Sequence, residues 1–563
     1  MRPTPVQEGL PPVVAGLVGL LWFVRGHSLA ALDPTNVGWV LHGGDTATHL
    51  FGWLFFRREP WQLPLGAYSG YLHPVGSAVA LTDSMPWLAF VLKPFSPWLP
   101  AAFQYVGPWI ALSFVLQGVL GALLMRRFTA DPWCRALGGV LIASSPVLLW
   151  RTAHETLCAQ WLLLAMLALY LSAPVDRGGA RRRVALALVL VMFSAGIQPY
   201  LAVMVCGLAL ALVVRLIAWD RLLDVGPGAA VIAASVALPA AFFWAVGIVG
   251  QGVTRGAQGF GQYSADLLTF VNPMQRSSFL PGLPQRAGQY EGFAYLGAGV
   301  LALLALVIVI AACRRRPPAF ALGRFVPLMA AVSVMAVYAL SAEVTVGGRM
   351  VMDLRALYAP ITPFADAFRA SGRFVWPLYY LLVLAIVVAV VRSLPRGAAI
   401  AALALASLVQ VADLTAAIEP VPTPPAPEVG MWSLAEAEYR HLVLYPPQIL
   451  WVGACLTQGQ YPHQYYVAHA WRAYRLGLTV NSGYMSRAND QASAQYCQAL
   501  TRRVTAGEFS PDTVYVVAAH ALASFTRAGM TCGRIDASDV CVTSDRATPL
   551  SRYLASPTPP ARP

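Results

Sequence analysis

Long apolar runs recur through most of the chain and determine its class. Each run is about 20 residues long, which is enough for a helix to cross a hydrocarbon layer of roughly 30 Å. Because backbone N–H and C=O groups in lipid must bond to one another, we predict that every run is a helix. The pattern indicates about eleven transmembrane helices, near residues 12–30, 109–125, 136–150, 157–173, 184–197, 200–217, 229–248, 294–312, 322–342, 374–392 and 397–413.

The composition agrees with a membrane protein. Of 563 residues, 57% are hydrophobic and 12% are charged, whereas soluble domains are about half apolar and about a quarter charged. A buried core does not absorb so large an excess. The predicted fold class is therefore a membrane all-α bundle, which occupies residues 1–415 and is followed by a separate C-terminal domain.

Arginine clusters fall in alternate connections between the predicted spans. By the positive-inside rule these connections are cytoplasmic, as is the N-terminus, and the C-terminal domain is extracytoplasmic. The formal net charge of +13 is largely this topology signal, and no basic stripe interleaved with aromatic residues indicates a nucleic-acid partner. The clusters are Arg126 and Arg127; Arg177, Arg181, Arg182 and Arg183; Arg215 and Arg221; Arg314, Arg315 and Arg316; and Arg392 and Arg396.

The first predicted outer loop, residues 31–108, is too rich in Trp, Phe and Pro for a disordered linker. Residues 49–58 are apolar and aromatic with a basic end. This pattern predicts a short amphipathic helix that lies at the membrane interface, and residues 86–99 predict a second one.

The C-terminal part has a different character. Residues 416–430 are rich in proline and predict a stiff linker. Alternating segments at 440–445 and 512–517, with a helical stretch between them, predict a small α/β domain over residues 431–550. Residues 551–563 are predicted to be disordered.

The cysteines agree with this orientation. Four of the eight lie in the C-terminal domain, which we place in an oxidising compartment. We predict that Cys532 pairs with Cys541 across a short hairpin, which leaves Cys455 with Cys497. Free structural thiols and a zinc site are the alternatives, and the absence of a CxxC motif disfavours zinc.

Two aspartates in the first outer loop are candidates for acid–base chemistry. Asp45 follows a pair of glycines that lets the backbone turn tightly ahead of the first interfacial helix. Asp83 opens the second interfacial piece. Each aspartate is alternatively a helix N-cap, and a capping aspartate can also act as a base.

Other polar groups cluster at the predicted outer turns. Ionisable residues at membrane depth are expensive and are therefore functional candidates, with solvated loop charges as the alternative. Arg369 and Arg373 are four residues apart on one helical face, so they either snorkel to the interface or form a fork for a phosphate. The remaining candidates are Arg151, His154, Glu155, Gln198 and Tyr200.

Acid together with arginine at a lipid-facing outer site suggests one reaction class. A carboxylate can take the proton of an acceptor hydroxyl, and arginine can neutralise a leaving phosphate. Polyprenyl phosphate is such a leaving group and is delivered from within the bilayer. This chemistry is sugar transfer from a lipid-linked donor.

The order of these motifs resembles a bacterial family of polytopic membrane proteins in the GT-C glycosyltransferase superfamily. The resemblance covers most of the chain. It rests on Gly44-Asp45, His49, Gly52-Trp53, Phe55-Phe56-Arg57, Pro60-Trp61, Pro64-Leu65-Gly66, Thr82-Asp83-Ser84-Met85-Pro86, Lys93 and Arg369-Ala370-Ser371-Gly372-Arg373-Phe374-Val375-Trp376-Pro377.

The resemblance implies a GT-C-like fold, an inverting mechanism and a catalytic aspartate in a long first outer loop. Asp45 matches the position of that aspartate. Many superfamily members have a paired acidic motif, whereas Asp45 stands beside Thr46. We therefore expect no cofactor, and a divalent metal is the less favoured alternative.

The resulting hypothesis is a bacterial plasma-membrane glycosyltransferase that uses a polyprenyl-phosphate sugar donor and an unspecified glycan, lipid or protein acceptor. Asp45 is the base. Two other classes stay open: a transporter or lipid flippase, which would usually show internal repeats with broken helices, and a non-catalytic envelope assembly protein. The residues predicted to hold the donor are Arg369, Arg373, Arg151 and His154, and those predicted to orient substrates are Asp83, Glu155, His49, Gln198 and Tyr200.

Overall fold

The chain divides into two compact units. The first comprises Met1–Asp33, Gly107–Phe242 and Arg255–Val421, and the second comprises Pro34–Val106, Phe243–Thr254 and Pro422–Pro563. The computed structural model describes residues 5–42, 44–172, 174–249, 260–313, 322–449, 455, 465–485, 487 and 489–556.

Helices dominate the described residues. The α-helices are α1 (Pro5–His27), α2 (Gly44–Arg58), α3 (Pro86–Leu92), α4 (Val106–Met125), α5 (Pro132–Ala143), α6 (Pro146–Leu149), α7 (Trp161–Leu171), α8 (Arg177–Ala195), α9 (Pro199–Ala218), α10 (Val225–Ala245), α11 (Ala298–Cys313), α12 (Val326–Leu340), α13 (Arg355–Tyr358), α14 (Thr362–Ala367), α15 (Trp376–Ser393), α16 (Arg396–Thr415), α17 (Tyr466–Leu476), α18 (Asp490–Ala506), α19 (Leu522–Arg527) and α20 (Pro549–Ala555). The strands are β1 (Ala67–Tyr68), β2 (Ser77–Ala78), β3 (Glu343–Val346), β4 (Arg349–Asp353), β5 (His441–Tyr445), β6 (Thr479–Val480), β7 (Thr513–Val517), β8 (Thr531–Ile535) and β9 (Ser538–Val542).

Several helices are suited to crossing a membrane. Every predicted run overlaps a helix, but the count of eleven spans is not confirmed. The helices α7 and α11 are apolar but short, and the first turns of α8 carry a cluster of arginines. Within the described ranges, eight segments are long and apolar enough: Glu8–His27, Val106–Met125, Pro132–Leu149, Pro199–Ala218, Val225–Ala245, Gly323–Leu340, Ser371–Ser393 and Arg396–Thr415.

Glycines bring α1 and α4 into backbone contact. A Cβ atom on Gly19 would lie 2.1 Å from the carbonyl oxygen of Phe114, and one on Gly118 would lie 2.1 Å from that of Ala15. Small residues allow such close approach between helices in lipid, where the hydrophobic effect does not drive helix association. The two glycines therefore hold this helix pair at short range.

Polar side chains of α16 cap the N-terminus of α11. The Asp413 carboxylate accepts a hydrogen bond from the backbone N–H of Ala298 at 3.0 Å, and the Gln410 side-chain oxygen accepts one from that of Gly299 at 3.0 Å. The first N–H groups of a helix have no partner within it, so these contacts satisfy groups that are costly to bury alone. The caps hold in place the start of α11 and the segment before it.

The second unit has α2 as a buried core element. The prediction of a helix over residues 49–58 is confirmed, but its placement at the membrane interface is wrong, because every side chain from Ala47 to Arg57 is buried within the protein. Arg57 donates hydrogen bonds to the carbonyl oxygens of Pro100 (2.8 Å) and Ser96 (2.9 Å). The basic end of the pattern is therefore a contact inside the protein.

The second predicted interfacial piece keeps an exposed apolar face. Within residues 86–99 the chain forms α3 and a 3₁₀ helix, Lys93–Phe95. The side chains of Val91, Phe95 and Trp98 are exposed. This exposure is what an interfacial helix requires.

The C-terminal region contains the predicted α/β arrangement. Its sheet has the order β6-β5-β7-β9-β8, in which β5 pairs in parallel with β6 and β7, while β9 runs antiparallel to β7 and β8. The first loop extends this sheet, since Tyr71 forms a parallel bridge with Val480, and the Val480 N–H donates to the Gly70 carbonyl at 2.8 Å. The loop and the C-terminal domain are thus parts of one unit.

Both predicted disulfides are present. Cys532 is bonded to Cys541, which lies opposite it on the neighbouring strand. Cys455 is bonded to Cys497 in α18. The two bonds link segments of the same domain.

The prediction that the C-terminal segment is disordered from residue 551 onward is wrong for its first residues. Residues 551–555 belong to α20, whose first turn is stabilised by Thr548, a cap that accepts a hydrogen bond from the Ser551 N–H. Residues 557–563 lie outside the described residues.

Candidate functional site

A buried ion-pair network joins three helix ends of the first unit. Glu291 lies in the 3₁₀ helix Ala287–Gly292 ahead of α11, Arg151 follows α6, and Arg373 lies in a short 3₁₀ helix ahead of α15. The Glu291 carboxylate accepts hydrogen bonds from Arg151 Nη1 at 2.6 Å and from Arg373 Nε and Nη2 at 2.9 and 2.8 Å. One carboxylate therefore fixes both guanidinium groups.

Two buried arginines of this network share one carboxylate. Burial alone would raise the pKa of Glu291, but the charges of Arg373 and Arg151 outweigh it and hold that pKa well below its usual range. Glu291 is thus ionised, and two buried guanidinium groups face one carboxylate. Excess buried charge is costly unless an anion neutralises it.

A third arginine lies beside the network. Arg276 stacks over the Trp150 ring, and burial together with the charge of Arg151 lowers the pKa of Arg276 to about 10. Within the described part of the chain no carboxylate forms an ion pair with Arg276, and Glu419 acts on it only through space. Arg276 thus adds a third guanidinium group beside the two that bind Glu291.

Tyr200 supports Arg373 from the side. The Arg373 guanidinium lies 4.7 Å from the centre of the Tyr200 ring, and the Tyr200 hydroxyl accepts a hydrogen bond from the Ala370 N–H at 3.1 Å. Gln198 caps α9, because its side-chain oxygen accepts from the Tyr200 N–H at 2.7 Å. Tyr200 therefore positions Arg373, and Gln198 holds the start of the helix that carries Tyr200.

The other predicted residues of the first unit are placed differently. The Arg369 guanidinium lies over the Tyr263 ring, 5.6 Å from its centre. His154 lies close enough to the network for its charge to lower the pKa of Glu291 further. Glu155 is fully buried in a 3₁₀ helix.

Asp45 and His49 lie one turn apart on α2 and therefore share a face of that helix. Because α2 begins at Gly44, Asp45 belongs to its first turn, where the helix dipole favours a negative charge. The N-cap interpretation of Asp45 is therefore wrong. It is also wrong for Asp83, since the N-cap of α3 is Met85, which makes no side-chain capping bond.

The turn that carries Asp83 comes close to His49. A ring nitrogen of His49 and a carboxylate oxygen of Asp83 lie within 4.8 Å of each other. Asp83 and Met85 adopt φ angles of 51° and 46°, which residues other than glycine seldom do and which often mark functional sites. Imidazole and carboxylate are both groups that can bind a divalent cation.

Gly52 allows this turn to pack on α2. A Cβ atom on Gly52 would lie 2.1 Å from Thr82 Oγ1 and 2.2 Å from Ser84 Oγ. These hydroxyls are 2.9 Å apart, and Ser84 donates to the His49 carbonyl oxygen at 2.7 Å. The absence of a side chain at Gly52 thus sets the distance between Asp83 and His49.

Tyr466 of the C-terminal domain lies near Asp45. Burial raises the pKa of Tyr466 to about 12, and the charge of Asp45 adds to the rise. Asp45 is therefore flanked by a residue that lies far from it in the sequence.

Glu291, Arg276 and Tyr466 were not predicted as site residues. Glu291 precedes the predicted span 294–312, so the rule that selected Arg373, an ionisable group at the mouth of a span, could also have selected it. Arg276 and Tyr466 carry no comparable local signal. Their roles depend on contacts made only in the folded chain.

Comparisons with known proteins place the chain as follows. The model of a domain of unknown function, DUF6311, matches residues 16–415, and that of the DUF6311 C-terminal domain matches residues 431–543. No curated protein matches the chain. Among solved structures, the chain is similar to the archaeal oligosaccharyltransferase AglB from Archaeoglobus fulgidus, in complex with an inhibitory peptide and a dolichol-phosphate, with 12% identity and a TM-score of 0.44 over 96% of this chain and 75% of that chain.

Proposed function

The chain belongs to the DUF6311 family, and we propose that it is an integral-membrane inverting glycosyltransferase that takes its sugar from a polyprenyl-phosphate-linked donor. The observation that carries this proposal is the group of arginines around Glu291. Arg151 and Arg373 bind the Glu291 carboxylate, and Arg276 lies close enough to Arg151 for that charge to lower the pKa of Arg276. A phosphate group is the anion that such a group of arginines favours.

The network suits a leaving phosphate for a second reason. Glu291 and the Tyr200 ring fix the Arg373 guanidinium before any ligand arrives. Hydrogen-bond donors of the protein that are already oriented need no reorganisation when negative charge develops on a leaving group. A fixed guanidinium therefore favours the departure of polyprenyl phosphate from the sugar.

We assign the proton transfer to Asp45. In this reaction the acceptor hydroxyl oxygen forms a bond with the anomeric carbon, and the bond from that carbon to the phosphate oxygen breaks. The proton of the hydroxyl goes to the Asp45 carboxylate, and the electron pair leaves with the phosphate. Attack opposite the leaving group inverts the anomeric configuration.

The remaining predicted residues keep supporting roles in this proposal. Arg369 and His154 add positive charge near the donor phosphate, and Asp83, His49 and Glu155 orient hydroxyl groups. The reaction as written needs no metal. His49 and Asp83 can nevertheless bind a divalent cation. Measuring sugar transfer in the presence of a chelator tests whether the reaction needs a metal.

The experiment is a transfer assay with purified protein in liposomes. A lipid extract of the host membrane supplies the donor, and transfer of labelled sugar is measured for the natural protein and for Arg373→Gln. The matched control is Arg286→Gln, which removes an arginine from a half-exposed pair with Glu343. We expect Arg373→Gln to weaken donor binding about ten- to hundredfold, as loss of a charged hydrogen bond predicts.

Two results contradict the proposal. One is full activity of Arg373→Gln when Arg286→Gln is equally active. The other is movement of the labelled lipid between leaflets by the natural protein without any sugar transfer, which would favour the flippase class.

A further inference from the structure

The hairpin formed by β3 and β4 carries an exposed apolar strand. Every residue of β4 is exposed, including Met350 (48%), Val351 (58%) and Met352 (55%). Further along the chain, Leu357 is 68% exposed and Ile361 46% exposed. These five side chains are called the hairpin patch below.

The patch is apolar on both faces of its strand. Successive side chains of a strand point to opposite faces, so Met350 and Met352 lie on one side and Val351 on the other. A protein partner that docks on one face would leave the other face in water. A medium that surrounds the strand covers both faces, and lipid is such a medium.

The hairpin is fixed to the rest of the first unit at its turn and at its open end. The Asp266 carboxylate accepts hydrogen bonds from the N–H groups of Gly347 (3.1 Å) and Gly348 (3.0 Å), which form the turn. At the start of β3, Arg286 forms an ion pair with Glu343 at 2.6 Å. The exposure of β4 is therefore a property of an anchored element.

The charges beside the patch are neutralised. Arg355 Nε donates to both carboxylate oxygens of Asp353 at 3.0 Å, and its Nη2 donates to one of them at 2.5 Å. A bidentate pair lowers the cost of bringing either charge near lipid. Arg349, at the other end of β4, is exposed and can reach a phosphate headgroup with its long side chain.

The segment that carries the patch also connects two candidate spans. It follows Gly323–Leu340 and precedes Ser371–Ser393, so both of its ends begin at the membrane surface. We propose that the hairpin patch inserts into the boundary between headgroups and acyl chains of the surrounding phospholipid, with Arg349 on a headgroup phosphate. This lipid contact is independent of the reaction proposed above.

The test measures the surroundings of a label on β4. A nitroxide is attached to Val351→Cys in a full-length chain whose four unpaired cysteines, Cys134, Cys158, Cys206 and Cys313, are replaced by serine. The protein is placed in phosphatidylcholine–phosphatidylglycerol liposomes, and collisions with oxygen, which concentrates in lipid, are compared with collisions with a water-soluble nickel chelate. The matched control is Arg502→Cys, on an exposed position of α18.

We expect the ratio of oxygen to nickel collisions to be severalfold higher at Val351 than at Arg502. Met352→Cys should behave like Val351→Cys and serves if the latter does not fold. A ratio at both hairpin positions equal to that at Arg502 would show that the patch faces water and would overturn the proposal. Protection from both reagents would show a protein contact and would overturn it as well.

Discussion

The guanidinium of Arg373 makes two parallel hydrogen bonds, 2.9 and 2.8 Å long, with the carboxylate of Glu291. Such a bidentate pair fixes both side chains in orientation as well as in distance. Because Arg151 binds the same carboxylate, removal of Glu291 would take this carboxylate away from two buried cations. Removal of either arginine leaves the other arginine paired with Glu291.

Glu291→Gln is therefore expected to destabilise the protein strongly. Loss of one partner of a buried ion pair costs about 3–5 kcal/mol, because the other charge stays buried and unpaired. The control is Glu343→Gln, which breaks the half-exposed pair with Arg286 and should cost about 1 kcal/mol or less. The measurement is the melting temperature of both variants in the same detergent. An equal fall in melting temperature for the two variants would contradict a special role for Glu291.

The sequence predicted much of the fold but only part of the site. Apolar runs and the alternating segment at 512–517 are local signals that can be read in order along the chain. The network around Glu291 was predicted only in its arginines, because each of them stands at the mouth of a span. Its geometry comes from three segments that are far apart in sequence, and no local pattern records which side chains meet.

The misplacement of α2 has a similar cause. Its pattern of aromatic residues with a basic end is the same for an interfacial helix and for a core helix whose arginine reaches backbone carbonyls. Only the contacts of Arg57 with Pro100 and Ser96 distinguish the two.

Arg276→Ala should reduce donor affinity more than turnover. Arg276 adds charge beside Arg151 but is not held by Glu291, so its loss removes attraction and leaves the fixed network intact. We expect KM for the lipid donor to rise about tenfold, with kcat little changed. Arg276→Lys should be milder, since it keeps the charge. Arg527→Ala, on exposed α19, is the control, and an unchanged KM for Arg276→Ala would remove Arg276 from the donor site.

Asp45→Asn distinguishes a role of Asp45 as the catalytic base from a purely structural role. Asparagine keeps the size and a polar oxygen in the first turn of α2, so the melting temperature should change little. Loss of general-base catalysis should lower kcat about 10²- to 10⁴-fold, with donor binding kept. Full activity of this variant would move the base to Asp83 or Glu155. A loss of activity in parallel with a loss of expression would instead indicate a folding role.

His469 should make the stability of the C-terminal domain depend on pH. Burial, with a smaller contribution from the charge of Arg472, lowers the pKa of His469 from 6.5 to about 3. Below pH 6.5 the unfolded chain binds a proton that the folded chain does not, so the free energy of unfolding falls as the pH falls, until the folded pKa is reached. The slope should be about 1.4 kcal/mol per pH unit. Between pH 7 and 5 the melting temperature should depend less on pH for His469→Gln than for the natural protein. Identical dependence on pH in the two proteins would contradict the argument.

Gly52→Ala should impair activity by moving the turn that carries Asp83. The new methyl group would meet Thr82 Oγ1 at 2.1 Å and Ser84 Oγ at 2.2 Å, and the Ser84 hydroxyl cannot withdraw without breaking its bond to the His49 carbonyl oxygen. Overpacking of this kind costs about 1–3 kcal/mol. The matched control is Gly397→Ala in α16, where a Cβ atom meets nothing within 4 Å. We expect Gly397→Ala to keep the natural melting temperature and transfer rate, whereas Gly52→Ala should lose transfer activity even at temperatures where it remains folded. If Gly52→Ala transferred sugar at the natural rate while folded, the spacing between Asp83 and His49 would be irrelevant to the reaction.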